Sequence, residues 1–194
     1  MHLPLAADNL RLRITFRCDL ARVTNLFNNN NIVWRALQRA DVPSAKEPSG
    51  LSRIDGKRPD GATLIPWAAG KHLAWDATVV HTCAASYIAH TANAAGAAAE
   101  QAAVRKIEKY AGLPSSHLFV PIALETLGPI NSAGVCFIRE VGQRLSVVSG
   151  EPREATFLFQ RISICIQLYN AIAFRGRLLL IMLRRTRPEF LDIE

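Results

Sequence analysis

The sequence predicts an α/β domain in which a mixed sheet is flanked by helices. Three observations carry that expectation. Segments with helical spacing of apolar residues alternate with short strand-like runs, in the order helix, short strand, hairpin, long helix, strand, helix, helix. An alanine-rich stretch from Tyr87 to Ala111 brings strong helix propensity to the middle of that order. The 194 residues, 49% hydrophobic and 20% charged, suffice for one buried core and exclude a disordered chain.

Taken in order, residues 1–29 read as an irregular N-terminal extension, residues 30–175 as the folded domain and residues 176–194 as a tail. The extension ends in the asparagine tract Asn28–Asn31, and Asn30 or Asn31 starts the first helix. Ile32, Val33, Ala36, Leu37 and Ala40 recur at helical spacing in it, and Pro43 ends it. Pro48-Ser49-Gly50 signals a turn beside a short strand. Ala62–Trp67 and His72–Val80 read as two strands of a hairpin joined through Ala68-Ala69-Gly70. In the alanine-rich helix, Gly96 either kinks or divides the segment. Leu118–Thr126 is a β-rich run that Pro121 confines to an edge or a bulge. Asn131 or Ser132 caps the next helix, with Val135, Ile138, Val141, Leu145 and Val148 on its apolar face, and Gly150-Glu151-Pro152 stops it. The last helix, Glu154 to Phe174, carries Leu158, Ile162, Cys165, Tyr169 and Ile172 as one stripe. Its other stripe, Gln160, Ser163, Gln167 and Asn170, is polar but uncharged, so the helix reads as mostly buried.

The 23 Lys and Arg residues against 16 Asp and Glu leave a net charge of +7, which favours a polyanionic partner. Cys18, Cys83, Cys136 and Cys165 are scattered, with no CxxC pair and no Cys/His ligand spacing, which argues against structural zinc. Cys136 and Cys165 lie among apolar residues and read as buried free thiols in a reducing, intracellular setting. Charged residues interrupt the first twenty positions, so no signal-peptide core is expected, and the apolar run Leu178 to Leu183 is too short to span a bilayer. No membrane association is expected.

Three pieces bear chemistry. Lys57-Arg58-Pro59-Asp60-Gly61 sets a carboxylate where a turn enters a strand, and Trp75-Asp76-Ala77-Thr78-Val79-Val80 sets another in the middle of an apolar strand. In Arg105-Lys106-Ile107-Glu108-Lys109-Tyr110, positions 106, 109 and 110 share one helical face. A strand-centre aspartate has poor β propensity, and burying it ionised is costly unless it is paired or ligates a metal. In a hairpin Asp60 and Asp76 lie close together near its open end, where two carboxylates suit a hard cation such as Mg²⁺. A lysine reaching in from a packed helix would stabilise charge on a phosphate. The plainer readings stand beside this one. Asp60 before Gly61 can be a turn aspartate, Asp76 can pair with Lys57, Arg58 or Lys71, and the lysine face can be solvated helix surface. His72, His81, His90 and His117 show no ligand spacing, and Glu125 reads as an ordinary exposed strand residue rather than a third acid.

Arg58-Pro59-Asp60, fifteen intervening residues, Asp76, then Lys106 and the Lys109-Tyr110 pair resemble the restriction-like endonuclease domain of site-specific non-LTR retrotransposons. That domain is a branch of the PD-(D/E)XK nuclease class and forms the C-terminal part of reverse-transcriptase-like polyproteins. The resemblance runs from about Asn30 to Phe174 and includes Glu47-Pro48-Ser49-Gly50-Leu51, Glu125-Thr126-Leu127-Gly128 and Gln160-Arg161-Ile162-Ser163. It implies a restriction-endonuclease-like sheet and a Mg²⁺- or Mn²⁺-dependent nick in target DNA that primes reverse transcription. It further implies a nuclear setting and the reverse transcriptase module of the same element as a partner. Asp60 and Asp76 would be the metal ligands, Lys106 or Lys109 the catalytic lysine, and Tyr110 a stacking or hydrogen-bonding neighbour. Thr78 stands where the wider class has its lysine. The first helix lacks an acidic residue inside it, and Glu47 is a substitute. Residues 1–27 and Leu178–Glu194 fall outside the pattern, and neither a polymerase palm nor a zinc knuckle is present. A catalytically silent remnant that only binds nucleic acid is the alternative reading. A protein-interaction domain built on the 131–174 helices is the third.

Overall fold

The structure, a computed structural model, describes residues 30–51, 56 and 58–185, with side chains as far as residue 176. The expected N-terminal extension, Cys18 and the last nine residues of the expected tail lie outside the described residues. Helix α1 covers residues 30–39 and is followed by strand β1 (Ser44–Lys46) and a short 3-10 turn (Ser49–Leu51). Then come β2 (Gly61–Thr63), β3 (His72–Val80), α2 (Ile88–Thr91), α3 (Ala97–Lys109), β4 (His117–Glu125), α4 (Ser132–Ser149) and α5 (Glu154–Arg185).

The four strands form one mixed sheet in the order β1-β2-β3-β4, antiparallel from β1 to β3 and parallel between β3 and β4. Side-chain alternation along β3 divides the core into two layers. Leu73, Trp75, Ala77 and Val79 point, with Ile122 and Leu124 of β4, into a cluster formed with α1, α4 and α5. On the other face Val80 and Ala123 meet Ala98, Ala99, Ala102 and Ala103 of α3. The alanines of α3 let it lie close on the sheet, and this contact aims its last turn at the middle of β3. The mixed sheet flanked by helices is therefore as the sequence predicts.

The hairpin is present, but β2 is shorter than the expected Ala62–Trp67. Thr63 accepts the Leu73 amide on Oγ1 at 2.9 Å while its hydroxyl donates to the Ile65 carbonyl at 2.8 Å, which bends the chain off the ladder. The tight turn then closes with Ala69 at φ 49° and Gly70 at φ 71°, the two positive angles that a primed hairpin turn requires. Gly96, at φ 88°, divides the alanine-rich segment into α2 and α3. Pro121 lies on β4, which is an edge strand. At the other edge, Trp34 and Gln38 of α1 both donate to the Ser44 carbonyl, at 3.0 and 3.1 Å, and so cover β1.

Four expectations about the C-terminal helices are corrected. Asn131 precedes α4, but its side chain serves the β4 edge instead of the helix: Oδ1 accepts the Ala123 amide at 2.8 Å and Nδ2 donates to the Pro121 carbonyl at 3.2 Å. The buried face of α4 is Gly134, Phe137, Ile138, Val141, Gly142 and Leu145, so Val148 is exposed and Val135 only half-buried. The same helical phase turns Cys136 outward, against the expectation of a buried thiol, while Cys165 is half-buried and burial pushes its thiol pKa up. Helix α5 is longer than the expected 154–174 and is not mostly buried. Leu158, Ile162 and Ile166 enter the core, whereas Ile164, Leu168, Ile172 and Phe174 are exposed. By length and composition Glu154–Gly176 is also apolar enough to cross a membrane.

Candidate active site

The site begins with a register. Gly61 pairs with Trp75 and Ala62 with Ala74, so the next position outward sets Asp60 opposite Asp76. Gly61 is required there, because a Cβ on it would lie 2.1 Å from the Trp75 ring. The Trp75 indole N–H donates to Asn30 Oδ1 at 3.0 Å, and Asn30 Nδ2 reaches the Asp60 carbonyl at 3.4 Å. The Glu47 amide donates to the same carbonyl at 2.9 Å. The backbone of Asp60 is thus held by α1 and by the residue that follows β1, while Trp75 of β3 fixes Asn30. Asn30 went unrecognised in the sequence, where an asparagine tract signals only a turn or a cap.

β2 ends at Gly61 and β3 continues past it. Asp60 fills the gap: its Oδ2 accepts the Ala77 amide at 2.7 Å. Its carboxyl faces that of Asp76 across the two strands, and its pKa is raised to about 7. Burial is the main cause and the charge of Asp76 the next, while the Ala77 amide and Lys106 pull the other way. At neutral pH this pair therefore carries a proton for part of the time. Two carboxylates set against each other in this way offer a group of hard oxygen donors.

Asp76 is 3% exposed on the α3-facing side of β3. Lys106 Nζ lies 2.9 Å from its Oδ1 and Lys109 Nζ 3.4 Å from its Oδ2, so both lysines of one helical face converge on one carboxylate. Asp76 thus pairs with these two lysines and not with Arg58 or Lys71, which the plainer reading offered. Arg58 pairs instead with Glu47 at 2.7 Å, and Lys57 lies outside the described residues. The same convergence corrects the reading of Lys106 and Lys109 as plain solvated surface, since their side chains are only 20% and 27% exposed.

Tyr110 is buried, and its ring packs on Phe119 with centroids 4.8 Å apart. Its hydroxyl accepts from Lys109 Nζ at 2.7 Å and donates to the Arg58 carbonyl at 2.8 Å. Tyr110 thereby ties the loop that carries Asp60 to the helix that carries both lysines. All five residues singled out in the sequence (Asp60, Asp76, Lys106, Lys109 and Tyr110) meet at one place. Thr78 is half-buried on the same face of β3.

Two other acids have partners of their own. Glu47 is engaged by Arg58, and no group of three His, Cys, Asp or Glu side chains able to hold a metal occurs among the described residues. Glu125, expected to be exposed, is fully buried: its Oε1 accepts the Ala98 and Ala99 amides at 3.0 and 3.2 Å and caps α3. Compared with known proteins, the chain matches no family model and no curated protein.

Proposed function

We propose that this chain is a divalent-cation-dependent DNA endonuclease domain with a restriction-endonuclease-like fold, which nicks target DNA to prime reverse transcription for the element it came from. The observation that carries the reading is the pairing of Asp60 with Asp76 across β2 and β3, with two ammonium groups on the second carboxylate. The donor set fits a hard cation, because both carboxylates offer oxygen and Asp60 retains a proton near neutral pH that such a cation would replace. Asp60 and Asp76 would hold Mg²⁺ or Mn²⁺, which when bound supplies positive charge to the phosphate and acidity to water.

The chain's own residues account for the rest. Lys106, the closer partner at 2.9 Å, fixes the orientation of Asp76. Lys109 is held more loosely, at 3.4 Å, and is the group that can turn its ammonium toward a phosphate oxygen while Tyr110 keeps it near. Asp60 can hold or release a proton at the carboxyl oxygen not engaged by Ala77, since it titrates close to neutrality. The net charge of +7 supports phosphate contacts along the nucleic acid.

The test is a nicking assay on supercoiled plasmid with Mg²⁺ or Mn²⁺, run beside Asp76→Asn and with salt-dependent DNA binding measured on both. Cation-dependent relaxation lost in the variant supports the endonuclease. Binding that weakens with salt, without relaxation, favours a silent remnant that only binds nucleic acid. Neither relaxation nor binding removes both readings.

A further inference from the structure

The first residues of β3 and β4 carry a second cluster that the candidate active site does not use. In the parallel register His72 stands beside His117, and their imidazoles stack with centroids 5.4 Å apart and planes inclined by 29°. Both side chains are partly exposed. The tautomer of His72 follows from its neighbour. Its Nδ1 lies 3.1 Å from the Thr63 carbonyl oxygen, which can only accept, so a neutral His72 carries its proton on Nδ1 and presents a lone pair at Nε2. An imidazole whose Nδ1–H is anchored on a backbone carbonyl is the usual state of a metal-ligating histidine. His117 Nδ1 lies 3.0 Å from the Ser116 hydroxyl, which unlike a carbonyl can both donate and accept and so lets His117 adopt the tautomer that frees Nε2.

We propose that His72 and His117 form a two-imidazole site for a borderline transition-metal dication of the Zn²⁺ or Ni²⁺ type. Imidazole nitrogen selects these ions over Mg²⁺, which separates the site chemically from the carboxylate pair. It is separate in space as well, since Asp76 is four residues further along β3, roughly 13 Å at the rise of a strand. Water completes the coordination, as no third His, Cys, Asp or Glu joins a ligating group among the described residues. Bound metal would tie the start of β3 to the start of β4 across the sheet edge.

The experiment titrates Zn²⁺ into the metal-free full chain, with binding followed by calorimetry and imidazole nitrogens by long-range ¹H–¹⁵N spectra. The expected result is a shift of Nε2 in His72 and His117 and in no other histidine. His72→Phe keeps a ring in the stack and His117→Ala removes one, and each is expected to weaken Zn²⁺ binding by about 10-fold or more. Asp76→Asn is expected to bind Zn²⁺ at this site as the wild type does. Unmoved His72 and His117 resonances, or single-histidine variants that bind as tightly as the wild type, overturn the proposal. Neither outcome depends on whether the protein cleaves DNA.

Discussion

The Asp60 carboxylate accepts the Ala77 amide at 2.7 Å and so occupies the ladder position that β2 vacates when it ends. One side chain is both a structural cap for the sheet and half of an acid pair. The two roles conflict, because a neutral amide would cap equally well without facing Asp76 as a second charge. Asp60 titrates near 7 in the folded chain against 3.8 as a free side chain, so between these values the folded state binds more protons than the unfolded one. Stability of the cation-free protein therefore falls as pH rises from about 4 to about 7, and the penalty is complete above that. His117, whose pKa is lowered by burial and by His72, acts in the opposite sense near pH 6.5 but is common to wild type and variant.

Asp60→Asn is accordingly expected to raise stability at pH 8 while abolishing cation-dependent cleavage. In urea denaturation with EDTA, the gap between variant and wild type should widen from pH 4 to pH 7 and then level off. Its size in melting temperature is about 2–4 °C for each kcal/mol of penalty removed. A gap that does not change with pH would mean that Asp60 carries no burden of this kind. Added Mg²⁺ at pH 8 should close the gap by stabilising only the wild type.

The two lysines are not equivalent. Lys106→Ala leaves Asp76, buried at 3% exposure, with only the 3.4 Å contact to Lys109. A buried carboxylate stripped of its better partner is expected to cost about 1–3 kcal/mol. Lys109→Ala should cost less, since the 2.9 Å contact to Lys106 survives. The double variant should cost more than the sum of the singles, because each lysine partly covers the loss of the other. Chemical denaturation of the four proteins measures all three statements, and equal costs for the two single variants would contradict the second.

Gly61→Ala tests how tightly Asp60 is held. The added Cβ would meet the Trp75 ring at 2.1 Å, and Trp75 is fully buried, so the strand must move away from β3. Overpacking of this kind is expected to cost about 1–3 kcal/mol. The displacement should also draw Asp60 from Asp76, lowering cation affinity beyond what the stability loss explains. Tryptophan fluorescence and cation titration at a temperature where the variant is fully folded separate the two effects.

The parts of this arrangement that were legible in the sequence are the local ones. The β2–β3 hairpin could be read because Ala68-Ala69-Gly70 supplies its turn, and the hairpin alone brings Asp60 to Asp76. The i, i+3 spacing of Lys106 and Lys109 showed a shared face, but not that the alanines upstream would press that face onto β3. Long-range partners were not legible. Nothing adjacent to Glu125 marks it as the cap of a helix that precedes it by some twenty residues, and His72 meets His117 only through a parallel register. Helix α5 misled for a different reason: apolar residues lie on both of its sides, so composition could not say which side the core takes.

Glu125 gives the last expectation, and it concerns how α3 is set in place. The helix follows Gly96, which has no side chain to satisfy the first-turn amides, and four N–H groups there lack partners within the helix. Glu125 supplies the missing acceptor from the end of β4, with its negative charge at the positive end of the helix dipole. Its second oxygen is buried and has no hydrogen-bond partner among the described residues. Glu125→Gln therefore keeps the accepting oxygen and removes a buried charge, and its stability should stay within about 1 kcal/mol of wild type. Glu125→Ala removes the cap and should cost about 1–3 kcal/mol. Since Lys106 lies eight residues beyond Ala98, about 12 Å along the same helix, a shifted first turn shifts the lysines as well. Hydrogen exchange at the Ala98 and Ala99 amides is expected to accelerate in Glu125→Ala and hold in Glu125→Gln, with cation-dependent cleavage following the same order. Unchanged protection of those amides in Glu125→Ala would show that α3 is held by its alanine packing alone, and that the carboxylate of Glu125 has no part in aiming Lys106 at Asp76.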